Sequence, residues 1–168
     1  MKGALIIAII VVLAIAATGV FAYLHFEYGT LRVYVTTGNA DPIYLTISSI
    51  MLHSTTKGWI TLSNTTKTVE LTQNLSFLAS ANIPIGNYTE VRLVVTRVTA
   101  SIGGVNVSVS LPSGVLKIPI VKGGLRVSGG EVSALALIIG PHIIQEGNGS
   151  YILSPVVTAE QISPQASG

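Results

Sequence analysis

An all-β fold is predicted for this chain: an antiparallel, immunoglobulin-like β-sandwich of about nine short strands behind one N-terminal transmembrane-type α-helix. Three observations predict it. Beyond residue 24, apolar and polar residues alternate with a period of two in segment after segment, and helical periodicity is absent. Gly-Gly pairs at 103–104, 123–124 and 129–130 punctuate those segments, where glycine supplies the positive φ that two-residue hairpins need. Residues 3–24 form an uncharged run of 22, too long and too uniformly apolar for a strand.

The helix comes first. At ~1.5 Å of rise per residue, the run is roughly 33 Å long, enough to cross a hydrocarbon core of about 30 Å. Lys2 precedes it, which places the N-terminus inside and the remainder of the chain outside. Tyr23, Phe26 and Tyr28 fall where an interfacial aromatic belt would lie. Two other fates compete with a retained anchor. Val20-Phe21-Ala22 offers a small-residue cleavage site after Ala22, as in a secretory signal, although such signals have shorter apolar regions. Lys2-Gly3 ahead of Ala4-Leu5 resembles the short leader of archaeal type IV pilin-like proteins. That resemblance implies cleavage after Gly3 and packing of the helix inside a filament. The length of the run favours the anchor, with the lipid bilayer as partner to residues 3–24. The expected organisation is an apolar helix over 1–24, an extracellular β domain over 25–161 and a disordered tail over 162–168.

The strands follow in order. "TLRVYVTT" at 30–37 alternates Leu31, Val33 and Val35 against Arg32, Tyr34 and Thr36. A turn over 38–42 leads to a strand at 43–53, and Thr55-Thr56-Lys57-Gly58 turns into another at 59–62. Residues 68–71 read as a short strand, and "NLSFLASANIP" fits either a strand or a single helical turn. Strands are then expected at 88–102, 105–111, 115–121, 125–127, 132–139 and 151–158. In 105–111 the alternation is strict, with Val105, Val107, Val109 and Leu111 inward and Asn106 outward. Pro119 cannot donate a ladder hydrogen bond, so its strand is expected at an edge or at a bulge. Arg97 breaks the phase of the strand that carries Glu90 and Arg92 on its outward side. A bulge near Thr96-Arg97 accounts for that break; the alternative is a buried Arg97 paired with Glu70 or Glu131.

Composition limits the function. Without its first 24 residues the chain keeps 144, enough for one domain with its own core. Those 144 carry eight basic and seven acidic residues, so no basic patch supports nucleic-acid binding. Cysteine is absent, and the sheets and core must hold an exported domain without disulfides. Charged residues are only 10% of the chain, which leaves little for acid to protonate and suits an acidic habitat. Five of the seven asparagines open Asn-X-Ser/Thr sequons: Asn64, Asn74, Asn87, Asn106 and Asn148. With 32 Ser and Thr among 168 residues, chance supplies only about one or two such sites. The excess predicts N-glycosylation.

Several phrases then carry a resemblance. "GTLRVYVTT", "YLTISSIMLHS", "GWITL", "IPIGNYTEVRLVV", "LPSGVLKIP" and "YILSPVV" occur in that order. Together they resemble a prokaryotic exported family, the domain of unknown function 4382, over residues 29–157. The most specific pieces are Gly86-Asn87-Tyr88 with Arg92-Leu93, Pro112-Ser113-Gly114 and Pro155-Val156-Val157. Many relatives have an Asp-Ala-Pro phrase after the first strand; this chain reads Gly38-Asn39-Ala40-Asp41-Pro42 there, so no role for that aspartate carries over to Asp41. The resemblance implies an exported β domain and transfers no catalytic residue.

The residues themselves bring no reaction into view. His25, His53 and His142 are isolated in sequence, and Asp41 is the sole aspartate. No His-Glu-x-x-His, Cys-x-x-Cys or EF-hand spacing occurs, so neither a metal nor a cofactor is expected. Strands follow the Gly-Gly pairs, where a phosphate loop would need a helix. Trp59 reads as a core or sheet-face aromatic, or as a carbohydrate platform that lacks neighbouring aromatics in the sequence. The expected function is a non-enzymatic, membrane-anchored surface domain with a structural or adhesive role. One alternative is a filament subunit, assembled with copies of itself through the helix or by donation of strand 30–37. The other is a ligand-binding exported domain.

Overall fold

The computed structural model describes residues 2–38 and 41–164, and within the helix it describes the side chains of 6–21 and 26–27. The elements run in the order α1 (Lys2–Glu27), β1 (Tyr28–Thr36), β2 (Ile43–Ser54), β3 (Gly58–Ser63), β4 (Lys67–Leu71), β5 (Ser76–Pro84) and β6 (Gly86–Ile102). Then follow β7 (Val105–Val109), β8 (Val115–Pro119), β9 (Leu125–Val127) and β10 (Val132–Gly140). The last are β11 (Ile143–Gln145), β12 (Tyr151–Leu153) and β13 (Val156–Ile162). The strand count exceeds the expectation partly because "YILSPVVT" is two strands. Pro155 has no N–H to give a ladder, and the chain leaves one sheet for another there.

Two large sheets carry the domain, and β11 and β12 form a third, two-stranded one. One has the order β13-β10-β1-β5; the other has the order β3-β2-β6-β7, with β4 also on β2 and β8 and β9 also on β6. At 17 residues β6 is long enough to pair with β9, β8 and β7 in succession along one side. Alternation sends Leu31, Val33 and Val35 of β1 and Leu135, Leu137 and Ile139 of β10 inward. They join Leu45, Leu52, Val91 and Leu93 from β2 and β6 in one buried cluster. Each such side chain contributes about 1.5–3 kcal/mol by leaving water. Hydrophobic burial, with no disulfide, holds the two sheets together.

Several expectations are corrected. β1 and β10 are parallel, from Thr30 opposite Val132 to Thr36 opposite Ile138, so the architecture is not wholly antiparallel. A parallel neighbour needs a long connection, and the whole of the other sheet lies between these strands in sequence. Only Gly103-Gly104 (φ 59° and 81°) closes a hairpin. β8 and β9 both pair with β6 and not with each other, and between β9 and β10 the chain crosses between sheets. Gly123-Gly124 therefore interrupts a run that continues along the β6 edge, and Gly129-Gly130 marks the crossing between sheets. Val105 is 63% exposed because it flanks the hairpin, beyond the reach of the core. The segment of undecided structure is strand β5, and Ile162 belongs to β13 and not to a tail. Arg97 is exposed, and the register between β2 and β6 slips at Thr96, as the bulge reading requires. Pro119 ends β8, an edge strand.

α1 passes into β1 without a linker. The Glu27 carbonyl accepts the Ile85 N–H at 3.0 Å, and the Tyr28 carbonyl accepts the Gly130 N–H at 3.0 Å. Gly29 is pinched beside them: a Cβ there would lie 2.4 Å from the Ser128 carbonyl oxygen. The described side chains of α1 over 6–21 are exposed on every side of the helix. Among the described residues, no helix is long and apolar enough to cross a membrane. Residues 6–21 alone rise about 24 Å, and both ends of the expected 3–24 span lie outside the described side chains. Gly3, Ala22, Tyr23, His25 and the tip of the 38–42 turn, with residues 165–168, fall outside them too.

Candidate functional site

The turn after β2 sets up a cluster of aromatic and charged side chains on the outer face of the larger sheet. Ser54 is buried, and its Oγ accepts the N–H groups of Thr56 and Lys57 at 3.3 and 3.2 Å. Gly58, at φ 71°, completes the reversal, and Trp59 emerges directly opposite His53. On the other side of β2, the register with β6 slips between His53 and Ser54, so that His53 faces Glu90 while Ser54 faces Tyr88. The extra residue, Thr89, turns outward with Glu90. Two rungs result across four strands. Trp59, His53, Glu90 and Pro119 form one; Thr61, Met51, Arg92 and Lys117 form the next.

Side chains from both rungs converge on Trp59. The Arg92 guanidinium lies 4.1 Å from the centroid of its ring, a cation–π contact. The His53 ring meets it edge-on at 4.9 Å and 60°. Arg92 Nε donates to Glu90 Oε2 at 3.0 Å, and His53 Nδ1 lies 3.5 Å from Thr89 Oγ1. Trp59 nevertheless remains 41% exposed. The ring is therefore fixed in place while much of it stays open to solvent. Lys57 and Lys117, both exposed, bring the local count to three cations against the single carboxylate of Glu90.

Beneath the cluster, Tyr88 is fully buried and its hydroxyl donates to the Pro84 carbonyl at 2.6 Å. That bond pins the start of β6 and hence the positions of Glu90 and Arg92. Burial raises the Tyr88 phenol above its ordinary 10.0, because the phenolate would lose its hydration there.

Glu90 is turned to Arg92, so no carboxylate orients the His53 ring, and the Thr89 contact sits at the outer limit of a hydrogen bond. His142 and Asp41 are exposed in other loops. Among the described residues, no three His, Asp or Glu side chains group as metal ligands would. One concave surface borders the cluster at Lys117, between β8 and Ile152; two others lie elsewhere. One groove runs between the β3–β4 side and β5 over Ile47, Ile50, Leu62 and Leu78. Another opens beside the helix end, lined by Asn87, Lys122, Arg126 and Gln161.

All five sequon asparagines are exposed, in or beside turns or on outward strand positions. Asn64 Oδ1 accepts the Ser49 hydroxyl at 3.3 Å, and Asn148 Oδ1 accepts the Ser150 N–H at 3.0 Å. The sequence places Trp59, His53, Glu90 and Arg92 singly and does not bring them together. Only the outward phase of Glu90 and Arg92 hints at a shared face; their meeting with Trp59 depends on register across three strands.

A family model described as Domain of unknown function (DUF4382) matches residues 28–155. No curated protein matches the chain significantly. Among solved structures, a Bacteroides fragilis protein assigned provisionally to cell adhesion aligns at 12% identity and a TM-score of 0.38. The alignment covers 84% of this chain and 47% of that one, so the chain spans about half the length of its structural match.

Proposed function

The chain belongs to the DUF4382 family of domains of unknown function, and from that premise we propose a non-enzymatic cell-surface protein, anchored by its N-terminal helix. Its β domain faces outward, carries N-linked glycans and does structural or adhesive work. The observation that carries this reading is α1 itself. Its side chains over 6–21 are exposed and apolar on every face, a surface that water does not stabilise. Its C-terminal end is hydrogen-bonded into the base of the domain, so whatever covers the helix also positions the sheets. The uncharged run of 3–24 behind Lys2 supports a bilayer as that cover and supports an inside N-terminus. The exposure of all five sequon asparagines supports glycosylation. His53 engaged with Trp59, and His142 and Asp41 apart in loops, support the absence of a reaction.

A filament subunit is the second reading, favoured by the direct passage of α1 into β1. Cleavage after Gly3 would free the same apolar helix to bundle. Strand donation is the less economical route, because β1 lies between β10 and β5 and pairs with both. Withdrawing it would expose Leu31, Val33 and Val35, all fully buried.

Protease added to intact cells tests the surface reading: the domain is expected to be digested, and full protection would overturn the orientation. The intact mass of the native protein decides the rest. An added glycan mass with Met1 or Lys2 at the N-terminus supports the anchor. A chain trimmed after Gly3 in sheared filaments establishes the second reading instead, and one trimmed after Ala22 establishes secretion.

A further inference from the structure

We propose that the Trp59 patch is a binding subsite for acidic oligosaccharides, with Trp59 as the stacking platform and Arg92, Lys117 and Lys57 as the groups that meet the sugar's carboxylates. The inference deepens the surface reading above and rests on it for its setting. Its chemistry stands on the patch alone. An indole ring packs against the C–H face of a pyranose, and a ring already held in place loses little freedom when it does so. Arg92 at 4.1 Å and His53 at 4.9 Å hold Trp59 from two directions, and 41% of its surface remains open.

Charge selects the class of sugar. Lys57 precedes the strand that carries Trp59, and Lys117 stands across from Arg92 on the next strand. One carboxylate, Glu90, is present, and it already binds Arg92 Nε. The surplus is therefore cationic, and complementarity calls for a ligand with regularly spaced negative charges. Uronic-acid chains combine that charge with flat pyranose faces. The shape agrees: Trp59 and Arg92 lie on the open face of the sheet, outside the grooves, and Lys117 borders one, so an extended chain can lie across strands. Hydroxyl groups of Thr61 and Thr89, both exposed on this face, supply further partners for sugar oxygens.

Trp59 is the only tryptophan, so its fluorescence reports the site directly. The full-length protein in detergent micelles is titrated with oligogalacturonate, a neutral maltooligosaccharide of equal length, and polyglutamate. Saturable quenching by oligogalacturonate is expected, at least about tenfold tighter than by the neutral sugar. It should weaken by about tenfold or more between about 50 and about 500 mM salt. By calorimetry, Trp59→Phe and Lys117→Gln should each weaken binding about three- to tenfold. Arg97→Gln, on an exposed residue farther along β6, should change nothing. Equal binding of the neutral sugar overturns the proposal, and so does wild-type affinity in Lys117→Gln, whose exposed side chain does not endanger folding. Polyglutamate binding as tight as oligogalacturonate reassigns the patch to acidic peptides, and no response up to about 10 mM ligand ends it. Because the titration uses isolated protein, its failure leaves the protease result on intact cells untouched, and the reverse holds as well.

Discussion

Tyr88 shows how one side chain can set a surface it never touches. Its ring fills the core at the start of β6, and its hydroxyl satisfies the Pro84 carbonyl four residues upstream. Tyr88→Phe leaves that carbonyl without its donor, at a cost of about 1–2 kcal/mol in urea unfolding near neutral pH. The pH dependence follows from the raised phenol. The folded state holds the proton more tightly than the unfolded chain, whose tyrosine titrates near 10.0. The contribution is therefore fully present below that value and is lost as pH rises through the folded pKa. The wild type should keep its advantage over Tyr88→Phe at neutral pH and lose part of it at about pH 11. An advantage that grows with alkalinity would contradict the assignment.

Elements depend on glycine at a few places and for different reasons. Gly103 and Gly104 close the β6–β7 hairpin at φ 59° and 81°, a conformation that side-chain-bearing residues disfavour. Gly147 has ordinary φ and nothing near its would-be Cβ. Gly104→Ala is thus expected to cost about 1 kcal/mol and Gly147→Ala close to nothing, or to stabilise slightly by restricting the unfolded chain. Equal denaturation midpoints for the two variants would refute this account of the hairpin. The bulges matter in the same way. Slippage at Thr96 lets β6 keep Val95 and Val98 inward around an exposed Arg97, and slippage at Thr89 turns Glu90 toward the Trp59 face. The first was legible as a break in alternation. The second was not, because Thr89 and Glu90 are both polar and either could face out.

At the scale of the whole molecule, charge is sparse and stays at the surface. All seven carboxylates belong to described residues that are exposed or half-buried, and the buried polar side chains among the described residues are Thr37, Ser54 and Ser133. Two ion pairs occur among the described residues, Glu90 with Arg92 and Glu160 with Lys122, and both are open to solvent. Such pairs contribute about 0–1 kcal/mol each. Acidification from about pH 7 to about pH 3 is expected to lower the melting temperature by only a few degrees. Cooperative unfolding on mild acidification, reversed near neutrality, would show that a carboxylate carries more of the fold than its exposure allows.

Alternation, the uncharged N-terminal run, the Gly-Gly pairs and the spacing of the sequons are local properties, and local physics settles them. From them come the helix, the β character, the inward sides of β1 and β6, the edge position of Pro119 and the bulge at Thr96. Pairing between distant strands is another matter, because a strand's hydrogen-bonding edges are alike whatever its side chains. Tertiary packing alone made β1 the parallel neighbour of β10, made Gly123-Gly124 a break along the β6 edge and made Gly129-Gly130 a crossing between sheets. It also set three strands in the register that brings Arg92 and His53 onto Trp59. A site assembled across strands has no spacing to read along the chain; it exists only once the sheet has fixed which residues stand side by side.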